Sequence, residues 1–153
     1  MKTKTMDHNL DAEPAHINLS PVAFRLWAKQ YYQCGHSFPC SDFSPVPYFL
    51  FCRAIELHFK AIHLDQLKTT PPGHQTQADV KNLYQHDLIK SYWGLPAANQ
   101  TLSNGELSLL ETANKVYSGK GFEYVNVHDS ARGFSNFPDL LALDALAKAI
   151  VGR

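Results

Sequence analysis

The chain has 153 residues, 44% of them hydrophobic and 18% charged, a globular composition that excludes a wholly disordered chain. Fourteen Lys and Arg balance fourteen Asp and Glu, so no global charge argues for nucleic acid or a membrane surface, and no apolar run reaches the roughly 20 residues that span a bilayer. Three cysteines without framework spacing (Cys34, Cys40, Cys52) and an N-terminus with no apolar leader predict a reduced, cytoplasmic setting, and eight histidines make the net charge sensitive to pH.

Residues 1–17 are polar and aperiodic and read as a loose arm, which leaves 18–153 as one domain. The stretch "LSPVAFRLWAKQYYQCG" predicts a helix, with Ser20 as cap, Pro21 in the first turn and Gly35 at the end. Val22, Ala23, Leu26, Trp27 and Tyr31 share one face of it, and Arg25, Lys29 and Tyr32 the other. "FSPVPYFLFCRAIELHFKAIHLDQL" repeats the punctuation with Ser44 and Pro45 and predicts about 20 helical residues, before the Pro/Gly loop "KTTPPGHQTQ". "DVKNLYQHDLIKSYWGLP" is helical in pattern, in one piece or two, and stops at Gly94 and Pro96. "TLSNGELSLLETANKVYSG" carries a capping box from Ser103 to Glu106 and an apolar face of Leu109, Leu110, Ala113, Val116 and Tyr117. "KGFEYVNVHDSARGFSNF" reads as an extended segment, and "PDLLALDALAKAIV" as a last helix striped by Leu140, Leu143, Leu146 and Ile150. The expectation is an all-α, up-and-down bundle of about five helices with one extended segment before the last.

The central helix poses the sharpest question, because Arg53, Glu56, His58, Lys60 and His63 interrupt an otherwise apolar run. At 100° per residue, Phe51, Cys52, Ile55, Phe59 and Ile62 fall on one arc, widened by Leu50, Leu57 and Ala61. Arg53, Glu56, Lys60 and His63 form a narrow stripe opposite, spaced for i,i+3 and i,i+4 ion pairs. On an exposed face the stripe is a solvated edge. On a helix this apolar it is a polar site shared with another element, which requires paired charges and satisfied hydrogen bonds. His58 lies inside the apolar arc, where a histidine is usually a hydrogen-bonded core residue or an interface residue.

"RAIELHFKAIHL", a Pro/Gly loop and then "HDLIKSYW" resemble the HEPN superfamily (higher eukaryotes and prokaryotes nucleotide-binding). Many of its bacterial members read Ala-x-Glu-Leu-x-x-Lys-Ala in a central helix, then Gly-His-Asp-Leu at a following helix start. Ala54, Glu56, Leu57, Lys60 and Ala61 match the first, and His86, Asp87 and Leu88 the second, with Gln85 in place of the glycine. Downstream, Asn114, Tyr117, Lys120 and Tyr124 fill the segment where the family places an Asn, a Tyr and a basic-aromatic pair. The resemblance covers roughly 43–150. It implies a helical bundle that commonly dimerises, and in some branches a non-catalytic binding module or a nucleotidyltransferase partner. Other branches are metal-independent RNases reading Arg-x(4–6)-His, a spelling that Arg53 to His58 satisfies, although in the family that motif belongs to a later helix.

Two functional expectations follow. In the first, Arg53, Glu56, Lys60, His86 and Asp87, with Tyr117, Lys120 and Tyr124, organise a nucleotide- or nucleic-acid-related binding module without catalysis or cofactor of its own. In the alternative, a homodimer brings together Arg53, stabilising a charged phosphate transition state, and His58, as general acid–base. Residues five apart on one straight helix point about 140° from each other, so the alternative needs two copies. A homodimer is expected in addition because the apolar arc and the Leu140–Ile150 stripe offer more apolar surface than five helices cover alone. Cys34, His36 and Cys40 lack zinc spacing and would need a fourth ligand such as His74 or His86, so no metal site is assigned. "SGKG" at 118–121 reads as a helix C-cap and not as a phosphate loop. Lys115, Lys120 and Arg132 lie among Phe122, Tyr124 and Phe134, a local pattern for stacking bases, but Glu123 and Asp129 interrupt the basic charge and favour a loop pinned to the bundle by its aromatics.

Overall fold

A computed structural model of the chain describes residues 20–39, 44–69, 85–121 and 137–153. Among these residues there are five α-helices and no strand: α1 (Pro21–His36), α2 (Pro45–Thr69), α3 (Leu88–Trp93), α4 (Asn104–Tyr117) and α5 (Leu140–Val151), with a 3-10 turn at Ala97–Asn99. The all-α bundle is therefore the observed fold. The arm at 1–17, Cys40, His74 and the segment 122–136, with Tyr124 and Arg132, lie outside the described residues.

Helix starts follow the capping chemistry. Ser20 Oγ accepts from Ala23 N–H at 3.2 Å, and Pro21 opens α1. Asp87 caps α3 by accepting from the Ile89 and Lys90 amides at 3.1 and 3.0 Å. Ser103 and Glu106 form the reciprocal capping box of α4, and Asp139 caps α5. The "SGKG" stretch closes α4 as a C-cap, where Lys120 adopts a left-handed φ of 51°. The Gly121 amide then reaches Val116 O and the Lys120 amide reaches Tyr117 O, each at 3.1 Å, which satisfies two terminal carbonyls.

The main core joins Phe51, Ile55 and Phe59 of α2 to Leu88 and Tyr92 of α3, Leu110 and Ala113 of α4, and Leu143, Leu146 and Ile150 of α5. Each large side chain buried this way contributes about 1.5–3 kcal/mol before entropy is counted. α2 runs 25 residues, longer than its apolar pattern predicts, and packs most extensively against α1.

Two expectations about α1 are corrected. Its packed side is not the Val22–Leu26 face: Val22 is 71% and Leu26 54% exposed, while Pro21, Ala28 and Gly35 are buried. Small residues seven apart let α1 approach α2, where Ala28 meets Ala54 and Leu57, with Phe24, Trp27, Tyr31 and Tyr32 filling the flanks. Gly35 is also not the stop signal, because α1 continues through His36. A Cβ at Gly35 would stand 2.8 Å from Phe51 Cε1 and 3.3 Å from Leu50 Cβ, so the glycine is there for close approach. The grounds for expecting a dimer change too. The apolar arc of α2 and the α5 stripe are both covered within the chain itself.

Candidate functional site

Glu56 lies midway along α2 and is 1% exposed. Its Oε1 accepts from Arg53 Nη1 at 2.9 Å and from Lys60 Nζ, one turn away on either side. Its Oε2 accepts from the Tyr117 hydroxyl at the end of α4 and from His86 Nδ1 at 3.1 Å, just before α3. The His86 and Tyr117 rings meet edge to face, 5.9 Å between centroids. Three segments thus converge on one carboxylate.

The electrostatics follow from that geometry. Burial pushes the Glu56 carboxyl upward, but Lys60 and Arg53 beside it, with donors from Lys60 and Tyr117, outweigh burial and hold it below the usual carboxylate range. Burial works against the Arg53 charge, yet Glu56 and Tyr117 hold its pKa above the ordinary value. The Tyr117 phenol is pushed far up, first by burial and then by the Glu56 charge it donates to. A buried carboxylate is tolerable only with such partners, since desolvating it alone costs several kcal/mol. With both oxygens occupied and its proton affinity lowered, Glu56 is a poor general base; it is an anchor for donors from three segments.

A second polar link sits beside it. Asn114 of α4 accepts from the Leu88 amide through Oδ1 at 2.8 Å and donates through Nδ2 to Asp87 Oδ1 at 3.0 Å. Asp87 therefore joins the site through Asn114 and not through Glu56. Arg53 and Lys60 remain partly open, with side chains 28% and 24% exposed. Two cations share one buried carboxylate there, which leaves excess positive charge at the outer edge.

The remaining candidates fall elsewhere. His63 is buried, and its Nε2 lies 3.0 Å from Ser91 O at the end of α3, so it leaves the Glu56 stripe. His58 is 5% exposed and its Nδ1 is buried without a hydrogen-bond partner, contrary to the expected hydrogen-bonded core histidine. Burial, then the charges of Arg25, Arg153 and Lys29, lower its pKa to about 4. Lys120 lies in the turn that follows α4, and Lys115 is exposed on the helix. The Cys34 thiol is free and exposed, His36 Nδ1 lies 2.8 Å from Asp144 Oδ2, and no group of three or more metal-ligating side chains forms among the described residues. No helix among the described residues is long and apolar enough to cross a membrane.

Sequence patterns give no signal for Arg25, Tyr92 and Arg153, which come from three separate segments to surround His58 in one cavity. Comparison with protein-family models, with curated proteins and with solved structures found no match.

Proposed function

We propose that the chain is a HEPN-like helical module that holds the phosphate of a nucleotide at the outer edge of the Glu56 cluster and has no catalysis of its own. The observation that carries this reading is the pair of half-open cations, Arg53 and Lys60, pinned by one buried carboxylate. Fixing them in advance lowers the ordering cost of gripping an anion. In this reading the module works as a homodimer or beside a nucleotidyltransferase, the two settings the resemblance implies. The RNase alternative draws less support. Arg53 is committed to Glu56, whereas His58 lies on another face of α2 and is buried.

The test is a titration of the chain with ATP, followed by intrinsic tryptophan fluorescence. Wild type binds, and Arg53→Gln and Lys60→Gln each weaken binding by about tenfold, while Lys60→Arg retains it. Thermal melts on each variant separate lost binding from lost folding. A parallel metal-free assay on single-stranded RNA shows no cleavage. Robust cleavage that His58→Ala abolishes at an unchanged melting temperature would replace the module with the RNase.

A further inference from the structure

His58 lies two residues from Glu56, about 160° around α2, and opens onto different surroundings. A cavity of about 290 Å³ is bounded there by α1, α2, the end of α3 and the C-terminal turn of α5. Its mouth is marked by exposed Ala98, Asn99, Thr101 and Arg153. One part of its wall is apolar, built from Phe59, Ile62, Leu95 and Ile150, and the rest is polar. A cavity of roughly half this volume lined only by such residues stays dry and takes up benzene, so the space here suits an aromatic ring with a small substituent.

The polar groups in the lining do not fit an empty hydrophobic void. The His58 imidazole edges the cavity, with its unpartnered Nδ1 turned away from the accessible space. The Tyr92 hydroxyl accepts from the Leu102 amide at 3.1 Å, which leaves its own proton to donate. Arg25 is paired with Asp65, and Arg153 reaches Thr101, and each guanidinium keeps further N–H donors. Arg25, Arg153 and Lys29 all act on His58 with positive charge. Donors and cations therefore share this space with apolar side chains, and the opposing charges are Asp65 on Arg25 and Glu106 near Arg153.

We infer that this cavity binds a small organic carboxylate with an apolar ring, its ring between Phe59, Ile62, Leu95 and Ile150 and its carboxylate held by Arg153 and Arg25. The flat, two-oxygen head matches a guanidinium fork. This site is independent of the nucleotide edge at Arg53 and Lys60.

The experiment is isothermal titration of the full chain with sodium benzoate, benzyl alcohol, sodium acetate and phenyl phosphate. Benzoate saturates one site with a Kd of about 1 mM or tighter. Benzyl alcohol, which lacks the charge, and acetate, which lacks the ring, bind at least about tenfold more weakly, as does phenyl phosphate. Arg153→Gln, at an exposed position, weakens benzoate about tenfold at an unchanged melting temperature. Ile62→Trp fills the cavity and abolishes the signal in a chain that circular dichroism shows to be folded. Arg53→Gln leaves the benzoate isotherm unchanged, which keeps this result separate from the nucleotide reading. Absent saturation by benzoate, equal binding of benzyl alcohol, tighter binding of phenyl phosphate, or an indifferent Arg153→Gln each overturns the assignment.

Discussion

The Tyr117 hydroxyl donates to the Glu56 carboxylate, tying the last turn of α4 to the middle of α2 across 61 residues of sequence. Both groups are buried, so neither finds water if the other is removed. Tyr117→Phe deletes one hydrogen bond to a charged acceptor and lowers stability by about 1.5–3 kcal/mol. Glu56→Ala costs more, about 3–5 kcal/mol, because it strands Arg53, Lys60 and the Tyr117 hydroxyl together. Urea unfolding of both single variants and the double variant checks this: the double variant falls well short of the sum, whereas strict additivity would mean that the bond carries no energy.

Stability falls as pH drops from about 6.5 to about 4. The unfolded chain takes up a proton on His58 near the ordinary 6.5, while the folded chain resists until about 4 because burial and then Arg25, Arg153 and Lys29 oppose the charge. The unfolded state thus binds more protons in that window, and the loss is about 3 kcal/mol when complete. Burial lowers the His63 pKa as well, with the same sign. Glu56, held below the usual carboxylate range, adds a further loss at more acid pH. His58→Leu removes an unpartnered buried atom, raising stability at pH 7 by about 1 kcal/mol and flattening the fall between pH 6.5 and 4. A variant with the wild-type pH slope would show that His58 does not titrate this way.

Two glycines in helices respond oppositely to alanine. At Gly105 in the first turn of α4 a new Cβ meets nothing within 4 Å, so Gly105→Ala stabilises by about 0.5 kcal/mol. At Gly35 the Cβ would press on Phe51, and overpacking of about 1–3 kcal/mol exceeds the helix gain of up to about 1 kcal/mol. Paired thermal melts distinguish the two, with the melting temperature up for the first and down for the second.

Asn114→Asp keeps an acceptor for the Leu88 amide but replaces the donor to Asp87 with a second carboxylate. The expected cost at pH 7 is about 1–3 kcal/mol, larger than for Asn114→Ser, which introduces no charge. Denaturation midpoints of the two variants provide the comparison.

Local chemistry made much of this fold legible. Ser20 and Ser103 with Glu106 mark helix starts through side chains adjacent in sequence, and Asp87 and Asp139 do the same in the structure. The Arg53–Glu56–Lys60 stripe was readable for the same reason, since its pairs lie within one turn. What could not be read depends on distant partners. His86 and Tyr117 were grouped with Glu56 by the resemblance and not by spacing, whereas Arg25, His58 and Arg153 meet only where α1, α2 and the end of α5 converge. The buried face of α1 was misjudged because hydrophobicity rewards Val22 and Leu26, whereas close helix approach rewards Ala28 and Gly35.

The Leu88 amide is bonded to the Asn114 side chain, 26 residues away on another helix. First-turn amides ordinarily lack a helical acceptor and exchange readily with solvent. α3 has only six residues, too few to persist alone, and its far end is held by His63 at Ser91 O. Deuterium uptake at Leu88 therefore times the parting of α3 from α4, and uptake within α3 has no slower, private clock of its own. The short helix is a passenger: it forms when its neighbours dock and dissolves when they separate, so this one backbone proton serves as a built-in gauge of tertiary assembly.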